Sequence, residues 1–243
     1  MKILITGITG FVGRALAQSL ASGEKHTVIG LCRSDTQLPV QCLNIGDLTP
    51  STSYKKILSG VDVVIHLAAR VHQMQEVSKD PLTDFRYVNC ATTINLAEQA
   101  ALAGVRRFVF LSSIKVCGEA SPPNQPFRPS DVIDLNSPRI KKKDPYAISK
   151  LECERGLQKI SARSKMGVVI IRPPLVYGTG VKGNFSSLIK LTKTRFPLPF
   201  NGIDNKRSLV FVGNLVSLIE LAKDHPNADG EIFLVSDGMD IST

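Results

Sequence analysis

Three residues in this chain have types and spacing suited to proton transfer. Tyr146 and Lys150 are four residues apart in a helical pattern, so their side chains lie on one helix face, one turn apart. An ammonium group near a phenol favours the phenolate, which lets a tyrosine exchange a proton near neutral pH. Ser113 stands at the carboxyl end of a predicted strand, where its hydroxyl can face a substrate oxygen. We therefore predict a catalytic group of Ser113, Tyr146 and Lys150.

A glycine-rich turn near the amino terminus has the spacing of a dinucleotide cradle. A short apolar strand leads into Gly7, Gly10 and Gly13, and a helical pattern follows. Glycines at this spacing allow a tight turn and close approach of the backbone to a pyrophosphate, while the helix start offers free N–H groups to the phosphates. The alternative is a glycine turn needed only for packing. The residues predicted to contact the cofactor here are Thr6, Gly7, Gly10, Phe11, Val12 and Gly13.

The residues after the second predicted strand bear on which dinucleotide is bound. An acidic residue there bonds the ribose hydroxyls of NAD, whereas an arginine accommodates the 2′-phosphate of NADP. This chain has Arg33 at that place, Asp35 follows two residues later, and Arg14 lies in the first helix. Arg33 favours NADP as the cofactor. In the alternative, Arg33 is a surface charge, Asp35 reaches the ribose and the cofactor is NAD.

Strand-like and helical segments alternate along the first two thirds of the chain. The strand-like segments are almost continuously apolar, as expected when helices cover both faces of a parallel sheet. The alternation predicts an α/β fold with a Rossmann-type doubly wound parallel sheet. The predicted strands are 2–6, 27–32, 61–67, 107–112 and 167–172, and the predicted helical segments are 11–21, 54–58, 87–103 and 146–161.

The chain changes in character after Arg172, where glycines and prolines become frequent. Two helices, at 184–193 and 213–223, and a strand at 231–235 are predicted there. We divide the chain into an NAD(P)-binding domain with the catalytic residues (1–172) and a small α/β annex that binds substrate (173–243). The final Asp240-Ile241-Ser242-Thr243 resembles a helix N-cap with no helix after it, so we expect this annex to be partial.

Composition restricts the class of protein but does not select a ligand. The 243 residues are 43% hydrophobic, and no apolar run approaches the ~20 residues that span a bilayer. Five scattered cysteines without a CxxC pair indicate reduced thiols in a cytoplasmic protein and no metal site. The net charge of +9 indicates either binding of anionic ligands or a basic surface that is simply solvated. The lysine run 141–143 has no aromatic neighbours, so we expect neither a nucleic-acid nor a membrane partner.

Together these motifs resemble the extended short-chain dehydrogenase/reductase family, also called the NAD-dependent epimerase/dehydratase family. Residues 6–13 are similar to its TGxxGxxG loop, and Tyr146 and Lys150 fall on its YxxxK pair. The resemblance extends along essentially the whole chain. The further similar segments are His66-Leu67-Ala68-Ala69, Asn89 with Leu96-Ala97-Glu98, Ser112-Ser113-Ile114-Lys115-Val116, the segment 172–178 and the segment 207–212.

The resemblance implies a role for each matching residue. Tyr146 donates or accepts the proton. Lys150 adjusts the acidity of Tyr146 and binds a ribose of the cofactor. Ser113 orients the sugar oxygen while hydride passes between sugar C4 and nicotinamide. Further cofactor contacts are implied for Asp47, Leu48, Leu67, Ala68, Ala69, Asn89 and Pro173, and substrate contacts for Ser113, Lys115, Asn184, Phe185 and Arg207. The alternatives are ordinary structural roles: helix caps for Asp47 and Asn184, core packing for Phe185 and His66, and a surface charge for Arg207.

The departures from the family pattern narrow the implied reaction. Dehydratases of this family carry an acidic pair where this chain has Ile114 and Lys115, so we do not expect a 4,6-dehydratase. The leading prediction is NADPH-dependent reduction of a UDP-4-keto-hexose. The alternative is a UDP-hexose 4-epimerase of the UDP-glucose or UDP-N-acetylglucosamine type with retained NAD, and a non-catalytic NADP-binding sensor is more distant. Members of this family form homodimers through the helices that correspond to 87–103 and 146–161, so the resemblance implies a homodimer.

Overall fold

The computed structural model describes residues 1–23, 26–70, 80–137, 144–181 and 205–242. Seven of the described strands form one parallel sheet in the order β3-β2-β1-β4-β5-β6-β9, and β7 and β8 pair with each other in parallel. The main-sheet strands are β1 (Lys2–Thr6), β2 (Thr27–Cys32), β3 (Gln41–Asn44), β4 (Val63–His66), β5 (Arg107–Leu111), β6 (Gly167–Arg172) and β9 (Ile232–Leu234), and the small pair is β7 (Leu175–Tyr177) and β8 (Leu209–Phe211).

Helices cover both faces of the main sheet. Helices α1 and α5 pack on one face, and α3 and α4 pack on the other, so most side chains of the central strands are buried. The helices are α1 (Phe11–Ala21), α2 (Pro81–Phe85), α3 (Thr92–Leu102), α4 (Pro145–Ala162) and α5 (Val212–Ala222), with a π-helical turn, Arg86–Ala91, between α2 and α3 and 3₁₀ turns at Ile114–Val116 and Pro226–Ala228. The predicted fold class, a Rossmann-type doubly wound parallel sheet, is confirmed.

The strand order reverses beside β1, and this reversal determines at which edge of the sheet a ligand can bind. The chain proceeds from β1 outward to β2 and β3, then returns to β4 on the other side of β1 and continues to β5 and β6. A crevice forms at such a reversal, beyond the carboxyl ends of the strands, and ligands bind there in open α/β sheets. Each loop that follows β1, β2, β4, β5 and β6 therefore faces this edge.

The predicted element bounds agree best where burial is complete. Strands 2–6, 27–32 and 167–172 have the predicted ends, whereas β4 and β5 are shorter than predicted. The predicted helical segment 54–58 is wrong: it forms hydrogen-bonded turns, because Gly60 at a φ of 67° redirects the chain after a single Leu58 N–H to Tyr54 carbonyl bond. The predicted helix 87–103 instead begins at Pro81, with Asp80 as its N-cap, and contains the π-helical turn.

The chain after Arg172 contributes to both sheets. β9 pairs with β6 in the main sheet, and α5 packs against α1. The buried Arg107 guanidinium anchors the end of α5 by donating to the carbonyl oxygens of Ala222 at 2.9 Å and His225 at 2.7 Å. It also pairs with Asp229 at 2.8 Å. A division at Arg172 thus stays a prediction about where substrate binds, as does homodimerisation.

Within the described segments, no helix is both long and apolar enough to cross a membrane. The same residues hold no group of three or more His, Cys, Asp or Glu side chains arranged to bind a metal ion. Asn184 and Phe185, the predicted helix 184–193 and the lysine run 141–143 lie outside the described residues.

Candidate active site

The turn from β1 into α1 has a surface that only glycine backbones can form. Gly7 has a φ of 71°, and a Cβ on it would stand 2.6 Å from the backbone nitrogen of Ala68. A Cβ on Gly13 would collide with the Gly7 carbonyl oxygen. The Gly10 N–H closes the turn by donating to that same oxygen at 3.0 Å. Helix α1 therefore begins directly at the sheet edge.

The start of α1 can bind an anion through its backbone. Gly10 caps the helix without a side chain, and the first turn contains no acidic residue. The first N–H groups of a helix lack partners inside it and form the positive end of its dipole. Phosphate groups bind such helix starts. The glycine surface and the helix start together fit the pyrophosphate of a dinucleotide.

We expect Gly10→Ala to weaken dinucleotide binding while the protein stays folded. The added methyl group lies on the exposed surface of the turn, 3.1 Å from the Gly7 carbonyl oxygen, where the pyrophosphate is predicted. Displacing one charge-assisted hydrogen bond costs about 1.5–3 kcal/mol, which is roughly a 10- to 100-fold loss of affinity. Calorimetric titration with NAD measures this loss of affinity. Gly23→Ala is the control, since its nearest neighbouring atom lies 4.0 Å away. Equal affinities for both variants contradict the proposed location of the cradle.

The loops after β2 and β3 meet at the same edge. The exposed side chains of Arg33 and Asp47 form an ion pair with 3.7 Å between Nη1 and Oδ1. Asp35 accepts a hydrogen bond from the Asn44 amide at 3.1 Å. A 2′-phosphate on the cofactor would compete with Asp47 for Arg33, so this geometry does not favour NADP over NAD. Leu48 packs partly buried against the hydrophobic core beneath these loops.

His66, at the end of β4, is a neutral core residue. Its Nδ1 lies 2.7 Å from the Thr6 hydroxyl and its Nε2 lies 2.7 Å from the Thr93 hydroxyl. Burial, with a smaller effect from Lys150, lowers the pKa of His66 to about 3. Thr6 also accepts the Ala68 N–H at 3.3 Å, and this bond holds the segment Leu67-Ala68-Ala69 against the glycine turn.

Asn89 holds Arg70, the residue that follows this segment. It lies buried in the π-helical turn, an element that is frequent at functional sites. Its Oδ1 accepts the Arg70 N–H at 2.7 Å, and its Nδ2 donates to the Arg70 carbonyl oxygen at 3.0 Å. A further bond of 3.3 Å runs from Nδ2 to the Ser149 hydroxyl on α4. Asn89 therefore connects the loop after β4 to the helix that carries Tyr146.

The predicted catalytic hydroxyls meet at the carboxyl edge of β5. The Ser113 side chain lies near the Tyr146 phenol and lowers its pKa. Ser113 follows β5 in extended conformation, and Tyr146 lies in the first turn of α4, where its ring contacts the edge of Phe85 with 6.0 Å between centroids. The loop carrying Ser113 is held from β6, since the Ile114 N–H donates to the carbonyl oxygen of the buried Pro173 at 2.9 Å.

Lys150 lies buried beneath the two hydroxyls. Its Nζ donates to the Leu111 carbonyl oxygen at 2.8 Å and stands 4.4 Å from the centroid of the Phe110 ring. The distance from Nζ to the centroid of the Tyr146 ring is 5.9 Å. Burial lowers the pKa of Lys150 to about 8, so the ammonium is the majority form at neutral pH.

The acidity of Tyr146 differs from the expectation based on spacing. Burial and the nearby Asp144 carboxylate raise the pKa of Tyr146 to about 12, and the Ser113 hydroxyl opposes this rise. The Lys150 ammonium donates to the Leu111 carbonyl oxygen and stands 5.9 Å from the centroid of the phenol ring. The prediction that the nearby Lys150 lowers the pKa of Tyr146 is therefore wrong.

Two of the remaining predicted substrate residues, Lys115 and Arg207, are exposed. The Lys115 ammonium pairs with Asp144 at 2.6 Å. Arg207 is exposed, and its backbone forms an antiparallel bridge with Ile241. Its contact with a substrate phosphate stays a prediction.

Comparison with known proteins agrees with this geometry. The model of the NAD dependent epimerase/dehydratase family matches residues 3–236. The chain belongs to this family. It is 46% identical over 244 residues to a UDP-glucose 4-epimerase from Vibrio cholerae, a match that covers all of this chain and 72% of that relative. A UDP-glucose 4-epimerase from Neisseria gonorrhoeae is 30% identical over 246 residues, covering 95% of this chain and 67% of that relative.

Solved structures of the epimerase/dehydratase family share the fold. MoeE5 in complex with UDP-glucose and NAD superposes with a TM-score of 0.81 at 25% identity, over 100% of this chain and 78% of that one. The resemblance to the extended short-chain dehydrogenases and the prediction of an NAD(P)-dependent enzyme are thereby confirmed. The comparisons favour the 4-epimerase alternative over the reductase, and they give the NADP preference no support.

One buried cluster in this member of the epimerase/dehydratase family, formed by Ser112, Glu154 and Arg172, was not predicted from the sequence. Glu154 accepts two hydrogen bonds from the Arg172 guanidinium, at 3.1 and 2.6 Å, and a further bond from the Ser112 hydroxyl. Arg172 also donates to the Pro129 carbonyl oxygen at 2.8 Å. The available signal was the position of Glu154, one helical turn after Lys150 and on the same buried face.

Proposed function

We propose that this chain is a UDP-hexose 4-epimerase that retains NAD. The observation that carries the proposal is the 46% identity, along the whole chain, to a UDP-glucose 4-epimerase. The site supports it: the neighbouring Ser113 and Tyr146 side chains stand at the carboxyl edge of the sheet, on the side of β1 away from Arg33. In this proposal a sugar hydroxyl at this edge meets the Tyr146 phenol as proton acceptor and the Ser113 hydroxyl as a second hydrogen-bonding group.

In this proposal Tyr146 moves the proton and Ser113 orients the sugar. The Tyr146 oxygen takes the proton of the C4 hydroxyl as the C4 carbonyl forms, and returns it to the oxygen after the sugar has presented its other face. The Ser113 hydroxyl donates a hydrogen bond to the same sugar oxygen. General acid–base catalysis of this kind contributes about 10²–10⁴-fold to a rate. The bound nicotinamide supplies a reversible hydride acceptor and, when oxidised, a positive charge that favours the phenolate.

The other residues position these groups. Lys150 places a positive charge beneath the phenol and has hydrogen-bonding capacity left for a cofactor ribose hydroxyl, since only one Nζ bond runs to Leu111. Thr6, Asn89 and the segment 67–69 shape the wall between the glycine turn and the catalytic group. NAD is the cofactor in this proposal because solved structures similar to this chain contain NAD.

The epimerase makes a product without consuming the cofactor, and this separates it from the reductase. We expect the purified protein, with a catalytic amount of NAD, to convert UDP-glucose into a mixture of UDP-glucose and its C4 epimer. Proton NMR of the sugar measures this conversion. The absorbance of reduced nicotinamide should stay constant. Stoichiometric loss of NADPH with a UDP-4-keto-hexose supports the reductase instead. Failure of both reactions while NAD still binds favours the sensor.

A further inference from the structure

Lys115 contacts both sides of the Ser113–Tyr146 pair through two different groups. Its backbone N–H donates to the Ser113 hydroxyl oxygen at 3.3 Å. Its side-chain Nζ reaches across to α4 and donates to Asp144 Oδ2 at 2.6 Å. One residue thus contacts the loop after β5 and the start of the helix that carries the phenol.

Asp144 completes the connection at the helix start. It is the N-cap of α4, and its Oδ1 accepts the Tyr146 N–H at 2.9 Å. The contacts therefore form a continuous chain, from the Ser113 hydroxyl through Lys115 and Asp144 to the backbone N–H of Tyr146. This chain of contacts limits where the Tyr146 phenol can lie relative to the Ser113 hydroxyl.

We propose that Lys115 is a positioning residue, whose ion pair with Asp144 holds the first turn of α4 on the Ser113 loop and so fixes the phenol of Tyr146 against the Ser113 hydroxyl. This goes beyond the proposed function in assigning Lys115 to the protein's own catalytic group and not to the sugar nucleotide. It rests on proton transfer by Tyr146, and it is independent of which UDP-hexose is bound.

The charges around Tyr146 give the proposal an electrostatic consequence. The charged groups facing it from the described elements are Asp144 and Lys150 on α4, Lys115 on the loop after β5, and Arg70, paired with Asp84, beyond the Phe85 ring. The Asp144 carboxylate raises the pKa of Tyr146. The Lys115 ammonium pairs with that carboxylate, so we expect it to offset the effect. Removing Lys115 therefore moves the titration of Tyr146 to higher pH, and removing Asp144 moves it to lower pH.

The pair contributes little to stability, which allows its role to be tested. The Lys115 side chain is 47% exposed and that of Asp144 is 12% exposed. Ion pairs with an exposed partner have a small effect on unfolding. A loss of activity in a Lys115 variant is then a consequence of altered geometry and charge at Tyr146, because the variant stays folded.

The experiment measures the titration of Tyr146 directly and does not require a substrate. A ring-fluorinated tyrosine is incorporated at position 146, and its ¹⁹F NMR shift is followed against pH in the full chain with bound NAD. Lys115→Met should raise the pKa of the fluorotyrosine by about one unit, Lys115→Arg should restore it, and Asp144→Asn should lower it. In the double variant the Lys115 effect should disappear. The exposed Lys159→Met, further along α4, is the control.

Kinetics separate positioning from substrate binding. For Lys115→Met in the unlabelled epimerase we expect about a tenfold lower kcat at neutral pH, a pH profile moved to higher pH, and an unchanged KM for UDP-glucose. A raised KM with unchanged kcat and an unmoved fluorine titration overturns the proposal in favour of a substrate contact. An unmoved titration overturns it even when the protein lacks epimerase activity, so its failure is distinct from failure of the proposed function.

Discussion

Replacing Tyr146 with phenylalanine should lower the rate of UDP-hexose epimerisation by about 10²–10⁴-fold while NAD binding and the fold persist. The phenol is the proton acceptor of the proposed reaction, and it lies near the Ser113 side chain. Phenylalanine keeps the ring contact with Phe85 at the same site but offers no oxygen to the sugar. The measurement is kcat for interconversion of UDP-glucose and its C4 epimer, together with calorimetric titration of NAD.

The matched control is Tyr87→Phe. Tyr87 is 52% exposed on the π-helical turn and takes no part in the proposed proton transfer. This variant should retain the activity of the unchanged protein. If Tyr146→Phe turns over UDP-glucose at the same rate as Tyr87→Phe, the proposed role of the phenol is wrong, and a function confined to dinucleotide binding becomes the better interpretation.

Glu154→Gln should reduce the free energy of unfolding by about 3–5 kcal/mol, the cost of breaking a buried ion pair by removing one partner. The side chains of Arg172 and Glu154 are 1% and 2% exposed. Arginine cannot deprotonate in a protein, so the variant leaves a charged guanidinium among buried groups. Urea unfolding followed by circular dichroism measures the change.

A neighbouring pair on the same helix provides the control. Glu152 forms a 2.6 Å ion pair with Arg86, but the Arg86 side chain is 49% exposed. Solvent screens such a pair, so Glu152→Gln should cost at most about 1 kcal/mol. If both variants lose the same free energy of unfolding, the expectation that the buried pair contributes more than the exposed pair is wrong. In the double variant Glu154→Gln/Arg172→Met part of the stability should return, because the unpaired charge is removed.

Burial determined which strands the sequence predicted correctly. β1, β2 and β6 are long apolar runs with helices on both faces, so hydrophobicity alone marks their ends. β3 was missed because Gln41-Cys42-Leu43-Asn44 is an edge strand with exposed polar ends. β7 and β8 have three residues each and, within the described residues, pair with each other across a long stretch of sequence.

The candidate site was predictable in its residues but not in its electrostatics. Ser113, Tyr146 and Lys150 follow from motif spacing and from the direction of the strands, and the structure brings them together. The pKa of Tyr146 depends on burial and on Asp144, neither of which the spacing between Tyr146 and Lys150 reveals. The Glu154–Arg172 and Lys115–Asp144 pairs link elements through tertiary contacts, and a single sequence carries no direct signal of such pairing.

The pairing of β9 with β6 has a consequence for synthesis on the ribosome. About sixty residues separate the end of β6 from the start of β9, and the bonds between them cover the outer side of β6. A nascent chain that has emerged only as far as β6 presents the free hydrogen-bonding groups of an apolar strand, which invites pairing with other chains. The nascent protein is therefore prone to aggregate after the catalytic residues have emerged and before β9 has joined the sheet.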